Sequence, residues 1–188
     1  MAAYERGKLS VIAGPMFAGK TSELLKRLLF LVHSDEKILV LKPIVDDRYN
    51  EPDQLVTHNK LKHEAVSVKD FERVKDHYTI KRYNYHTIFI DEVQFFNKGE
   101  TLWFVEEGLR DGVNFVIAGL DQDSRGIPFD TTARLLGLAD SVTKIRAVCN
   151  ICGQKATKTQ RLVKTPNRIE VGGAEIYEPR CHLHWKSK

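Results

Sequence analysis

Apolar positions fall along this chain in two rhythms, and their alternation predicts the architecture. Residues 9–13 form a short apolar run. After a glycine-rich turn, Leu24, Leu25, Leu28, Leu29 and Val32 recur at helical spacing, with Glu23, Lys26 and Arg27 on the opposite face. Residues 37–41, 87–90, 114–119 and 141–148 predict further strands, and residues 102–109 and 131–139 further helices. Residues 46–56 read as a polar loop, and one more helix is expected over residues 69–76 within a weakly patterned, charged stretch. Strands alternating with helices predict an α/β fold whose parallel sheet is wrapped on both faces. From Cys149 onward the pattern changes to short basic segments punctuated by Cys and Gly.

Composition narrows this little further. The 188 residues suffice for one sizeable core and a small appendage, and 42% apolar with 29% charged residues is ordinary for a globular protein. The longest apolar run, residues 28–32, is too short to span a membrane, and residues 1–7 lack a signal core, so a cytoplasmic protein is expected. A net charge of +4 suits a small polyanionic substrate and makes no case for nucleic acid.

The glycine-rich turn carries the first chemistry. Gly14-Pro15-Met16-Phe17-Ala18-Gly19-Lys20-Thr21 has the form G-x-x-x-x-G-K-T between a strand and a helix, the context that separates a Walker A loop from an ordinary turn. Its backbone N–H groups and the helix N-terminus offer positive potential to phosphates. Lys20 reaches the β- and γ-phosphates, and Thr21 offers a hydroxyl to Mg²⁺. Asp91 closes the strand at residues 87–90, where the Mg²⁺-holding Walker B carboxylate belongs, and Glu92 beside it is placed to take a proton from an attacking hydroxyl. The expected domain is therefore of the P-loop NTPase type, over residues 1–146.

Cys149-x-x-Cys152 and Cys181-x-x-His184 supply three thiolates and an imidazole, a closed set suited to structural Zn²⁺, and use every cysteine of the chain. Redox chemistry at C-x-x-C is the rival reading, and His182 is the alternative fourth ligand. Residues 147–188 are expected to form a small zinc-ribbon-like subdomain. Between the two Cys pairs lie Lys155, Lys158, Arg161, Lys164 and Arg168; a solvated hairpin is the preferred reading, with a nucleic-acid-gripping ribbon as the alternative.

As a set, GPMFAGKT, the D-x-R-Y element at residues 46–49, DEVQFF at 91–96, GLDQD at 119–123, CNIC, EVGGAEIY and CHLH resemble the zinc-containing (type II) thymidine kinases, from residue 8 to about residue 185. The resemblance implies transfer of the ATP γ-phosphoryl group to the 5′-hydroxyl of thymidine, giving dTMP and ADP in pyrimidine deoxynucleoside salvage. It implies that residues 14–21, with Asp46, Asp47, Arg48, Asp91 and Gln94, bind ATP, and that Glu92 is the catalytic base. It places thymidine against Met16, Phe95, Leu120, Ser124 and Phe129. Arg168, Ile169, Glu170, Val171, Gly172 and Tyr177 would form a substrate-enclosing lasso loop whose ends the zinc anchors. It further implies a homotetramer inhibited by dTTP, with no nucleic-acid or membrane partner.

The chain departs from the family's pattern at three positions. Ser124 stands where Phe or Tyr is usual, Asp130 where Gly is usual, and His184 where many relatives have Cys. The readings from other classes are a P-loop switch or motor ATPase carrying a zinc ribbon, and a zinc-ribbon nucleic-acid-binding module. A GTPase would need N-K-x-D, and the nearest string, Asn97-Lys98-Gly99-Glu100, ends in the wrong residue.

Overall fold

The computed structural model describes residues 6–44, 54–56, 62–68, 85–170 and 172–187. The expected helix over residues 69–76, the Asp46, Asp47 and Arg48 group, and Val171 lie outside them.

Strand β1 (Leu9–Gly14) enters α1 (Lys20–Leu31), followed by β2 (Ile38–Pro43), β3 (Gln54–Val56), β4 (Lys62–Glu64), β5 (Val66–Val68) and β6 (Thr87–Ile90). A 3₁₀ turn at Val93–Phe95 leads to α2 (Lys98–Arg110), β7 (Asn114–Leu120), α3 (Asp130–Leu138) and β8 (Ser141–Lys144). The last four strands are β9 (Ala147–Val148), β10 (Lys155–Ala156), β11 (Lys158–Arg161) and β12 (Tyr177–Arg180).

Six strands pair in the order β5-β2-β6-β7-β1-β8, and each of these pairings is parallel. Because side chains alternate across a strand, each strand feeds two cores. Leu9 and Val11 of β1, Ile88 and Ile90 of β6, and Phe115 and Ile117 of β7 pack with Phe104, Val105 and Leu109 of α2 and Leu135 of α3. Ile12, Phe89 and Ala118 pack on the other face with Leu24, Leu25 and Leu28 of α1. Phe104 meets Phe115 edge to face, ring centroids 5.7 Å apart. The sheet is thus buried on both faces, as the near-continuous apolar runs predict.

Three expectations change in detail. Residues 54–56, read as the end of a polar loop, form β3 and pair antiparallel with β4. Residues 141–148 are not one strand: β8 closes the edge of the main sheet, and β9 turns away to pair with β10 in a separate ribbon. Residues 66–68, which carry little pattern, form the opposite edge strand beside β2. An edge strand of three residues needs few apolar positions, so it leaves a faint trace in the sequence.

The sheet order decides where the site lies. β7 sits between β1 and β6, so the segments leaving the carboxyl ends of these three strands meet at one edge. β11–β12 and β9–β10 form separate two-stranded ribbons.

Candidate active site

The loop after β1 is shaped by backbone conformations that side chains rarely adopt. Gly19 has φ 82°, and Phe17, with φ 64°, holds a left-handed conformation that is costly for an aromatic residue. The first turn of α1 has no side-chain cap, whereas α2 is capped by Asn97, whose Oδ1 accepts from Gly99 N at 2.9 Å and Glu100 N at 3.2 Å. The opening N–H groups of α1 therefore point at the site without an internal side-chain acceptor, as an anion-binding turn requires.

Lys20 is buried, and its Nζ donates to Pro15 O at 2.8 Å. Burial pushes its ammonium below the usual range, and the carboxylates of Glu92, Asp91 and Asp121 oppose that shift. Thr21 Oγ1 donates to Asp91 Oδ2 at 2.8 Å, so the helix after β1 and the end of β6 are joined side chain to side chain. Burial first, and then the Glu92 carboxylate, push Asp91 up to about 7 against the opposing bonds from Thr21 and Glu92 N. A buried hydroxyl–carboxylate pair that is costly to ionise fits a divalent cation, whose charge would reverse that cost.

Glu92 itself has φ 51° and ψ 40°. Such a conformation costs about 1–3 kcal/mol in a non-glycine residue and recurs at functional positions. It directs the chain into the 3₁₀ turn, where Gln94 is buried. Gln94 Nε2 donates to Glu92 Oε2, while Gln94 Oε1 accepts from Leu120 N at 2.9 Å. Gln94 therefore faces the candidate base and the end of β7.

The loop after β7 docks the C-terminal ribbons. Gln122 Nε2 donates to Thr157 O at 2.9 Å and its Oε1 accepts from Lys158 Nζ at 2.6 Å. Asp123 is buried; its Oδ1 accepts from Arg125 N and Ile127 N, both at 2.9 Å, and its Oδ2 accepts from Arg168 Nε at 2.7 Å. Arg168 also lies over the Phe129 ring, 5.5 Å from its centroid. Ser124 Oγ accepts from Arg161 Nε at 3.2 Å, and Ser124 O accepts from Trp185 Nε1 at 3.2 Å. From β11, Thr159 Oγ1 reaches back to accept from Met16 N in the loop after β1, at 3.0 Å.

Arg161 departs from the expectation of an outward, solvated basic position, for it is only 7% exposed. Besides Ser124, its guanidinium donates to Thr165 Oγ1 (2.8 Å), Asn167 O (2.7 Å) and Arg168 O (3.0 Å). A guanidinium committed to four acceptors inside the protein is not available to a nucleic-acid backbone. Further along, Tyr177 OH donates to Glu170 O at 2.9 Å and accepts from Glu170 N at 3.2 Å, clamping that stretch of main chain.

The predicted zinc ligands come together. One ligand atom from each of Cys149, Cys152, Cys181 and His184 lies within 4.8 Å of every other, and His182 is not in the group. Cys152 Sγ and Cys181 Sγ are 3.7 Å apart, and Cys149 Sγ lies 3.8 Å from His184 Nδ1. Tetrahedral ligation with Zn–S bonds of about 2.3 Å sets the sulfurs about 3.8 Å apart. The donor set and its spacing fit Zn²⁺, and all three thiols are free of disulfides. Desolvation raises the Cys149 thiol, but hydrogen bonds from the Cys181, Cys152 and Ile151 backbone outweigh it and bring it down to about 6, towards the thiolate a metal binds.

Of the expected site residues, Met16, Lys20, Thr21, Asp91, Glu92, Gln94, Leu120 and Ser124 are linked by these bonds to the edge formed by β1, β6 and β7. Asp121, Asp123, Thr159 and Trp185 are participants that the sequence reading does not single out, and Arg161 is one that it reads as an outward basic position. Asp121 and Asp123 sit inside the GLDQD string, so they carry a signal. Arg161 carries none, because nothing in a basic stretch marks which arginine turns inward.

Among the described residues no helix is long and apolar enough to cross a membrane. A family model described as "Thymidine kinase" matches residues 7–185. Among solved structures, domain III of the Thermotoga maritima replication initiation protein DnaA is 18% identical, with a TM-score of 0.45, over 76% of this chain and 57% of that one. At that level of likeness it informs neither the site nor the function.

Proposed function

The chain belongs to the thymidine kinase family, and from that premise we propose that it transfers the γ-phosphoryl group of ATP to the 5′-hydroxyl of thymidine, forming dTMP and ADP for pyrimidine deoxynucleoside salvage. The observation that carries the reading is the meeting of Lys20, Thr21, Asp91 and Glu92 at one sheet edge, with Thr159 of β11 bonded to Met16 N in the loop after β1.

In this reading the loop 14–21 wraps the ATP phosphates, and Lys20 stabilises the charge on the transferring group. Asp46, Asp47 and Arg48 complete the donor site. Thr21 and Asp91 would hold Mg²⁺, which supplies charge neutralisation between phosphate oxygens. Glu92 accepts the proton of the 5′-hydroxyl as it attacks. Thymidine lies against Met16, Phe95, Leu120, Ser124 and Phe129, under the lasso of residues 168–172 and Tyr177. The Tyr177–Glu170 clamp supports that enclosure, because it holds the main chain at Glu170 in one conformation. Residues 1–146 then act as the nucleotide-binding domain and residues 147–188 as the zinc-anchored substrate cover. A cytoplasmic homotetramer under dTTP feedback completes the proposal.

The test is a steady-state assay with ATP·Mg²⁺ and each nucleoside in turn, beside a fluorescence titration with DNA. The expected outcome is dTMP formation and no DNA binding at physiological salt. ATP hydrolysis indifferent to every nucleoside would overturn the reading in favour of a P-loop ATPase.

A further inference from the structure

Gln94 has two hydrogen bonds that together leave it one orientation. Its amide nitrogen donates to Glu92 Oε2 and its amide oxygen accepts from Leu120 N at 2.9 Å. The reverse orientation would set the amide N–H₂ against a backbone N–H and the amide oxygen against a carboxylate, two repulsive contacts in a buried site. Space for the amide is made by Gly119. A Cβ there would lie 2.9 Å from Gln94 Oε1 and 2.7 Å from Val93 Cγ1. The chain thus ties the candidate base to the rigid carboxyl end of β7 through one side chain.

We propose that Gln94 is a positioning residue for Glu92 and not a ligand of the donor nucleotide. The inference rests on the reading of Glu92 as the base. By occupying Oε2, Gln94 leaves Glu92 Oε1 as the oxygen that faces the acceptor hydroxyl. It also holds a residue whose backbone is already strained, at φ 51°, in one geometry. Without the anchor to Leu120 N, the carboxylate samples other rotamers, and a displacement of about 1 Å in such a group costs up to about 10²-fold in rate.

Gln94→Met keeps the length and burial of the side chain but deletes both bonds. Gly119→Ala leaves Gln94 in the sequence but takes its space. For each variant, kcat and KM for ATP and for thymidine are measured beside thermal unfolding of the ATP complex. The expected result is a fall in kcat of about tenfold or more in both variants, with KM for ATP within about twofold of the parent. A raised KM for ATP with kcat intact would make Gln94 a nucleotide ligand and overturn the proposal, as would unchanged kinetics. A double-mutant cycle removes the ambiguity of a folding defect. If Gln94 acts through Glu92, Gln94→Met costs nothing further in the Glu92→Gln background. Additive losses there overturn it. Wild-type turnover in Glu92→Gln alone would instead show that the reading of the base has failed.

Discussion

Lys20, Asp91 and Asp121 each directly follow or closely trail the carboxyl end of a strand in one six-stranded sheet, whereas Arg161, Tyr177 and the predicted zinc ligands belong to ribbons only two strands wide. The first group inherits its geometry from a core that fills both faces of the sheet. Among the described residues the second has a small apolar cluster of Ala147, Cys149, Ala156 and Cys181, with Ala18 of the loop after β1 packed against it. So small a unit cannot hold its shape by burial alone. It is tied by the buried Arg161 and by the bonds that the loop after β7 makes to it, and on the proposed reading zinc on the Cys149, Cys152, Cys181 and His184 set adds the remaining cross-link. The difference teaches that one half of the site is positioned by packing and the other by cross-links, and each should fail in its own way.

Zinc removal should give the largest effect. Structural zinc contributes about 10–16 kcal/mol to the folding of small zinc domains. Chelation, or Cys181→Ser, is therefore expected to abolish thymidine phosphorylation while the α/β core stays folded by circular dichroism. A zinc-stripped protein that phosphorylates thymidine at the parent rate would break the comparison. Lys20→Ala probes the other half. It should lower kcat by about 10²- to 10³-fold while zinc content, measured by atomic emission, stays at the parent level. Loss of zinc in that variant would mean that the two halves are not held separately.

Arg161→Lys should be next in size. Lysine keeps the charge but lacks the planar fork, so it cannot serve acceptors on Ser124, Thr165, Asn167 and Arg168 together. The expected cost is about 2–3 kcal/mol, a fall of about 5–10 °C in Tm for a chain of this size. KM for thymidine should rise about tenfold with KM for ATP unchanged. An equal rise in both would show that Arg161 supports the core as well.

The same division explains which parts of the fold and the site are legible in the amino-acid sequence. The parallel sheet can be read because β1, β6 and β7 are buried on both faces and leave apolar runs, and α1 because its stripe follows 3.6-residue spacing. Lys20, Thr21 and Asp91 follow from their places at element ends, and the Cys and His residues from metal-ligand spacing. Arg161 and Trp185 escape because their roles depend on which neighbours a ribbon meets after folding. The break between β8 and β9 escapes for a related reason: residues 141–148 carry strand-like residues throughout, and only the two pairing partners, β1 and β10, divide them.

Ser124 gives the smallest expected effect and the finest test of the comparison, since it lies on a core loop yet bonds the C-terminal unit. Its hydroxyl accepts from Arg161 Nε, its carbonyl accepts from Trp185, and beside it lies a cavity of about 190 Å³. Ser124→Ala deletes one charge-assisted bond and adds nothing, so it should lower Tm by about 2–4 °C and raise KM for thymidine by about twofold or less, well below the effect of Arg161→Lys. Ser124→Phe deletes the same bond but adds a ring with open space on one side. Base–aromatic stacking is worth about 1–3 kcal/mol, so a ring that reaches the thymine should lower KM at least about fivefold relative to Ser124→Ala. Comparing the two variants with each other, not with the parent, cancels the loss at Arg161 and leaves only the ring. Equal KM values in the two would mean that Ser124 faces Arg161 and not the base, and that thymine packing is supplied by Phe95, Phe129 or Tyr177.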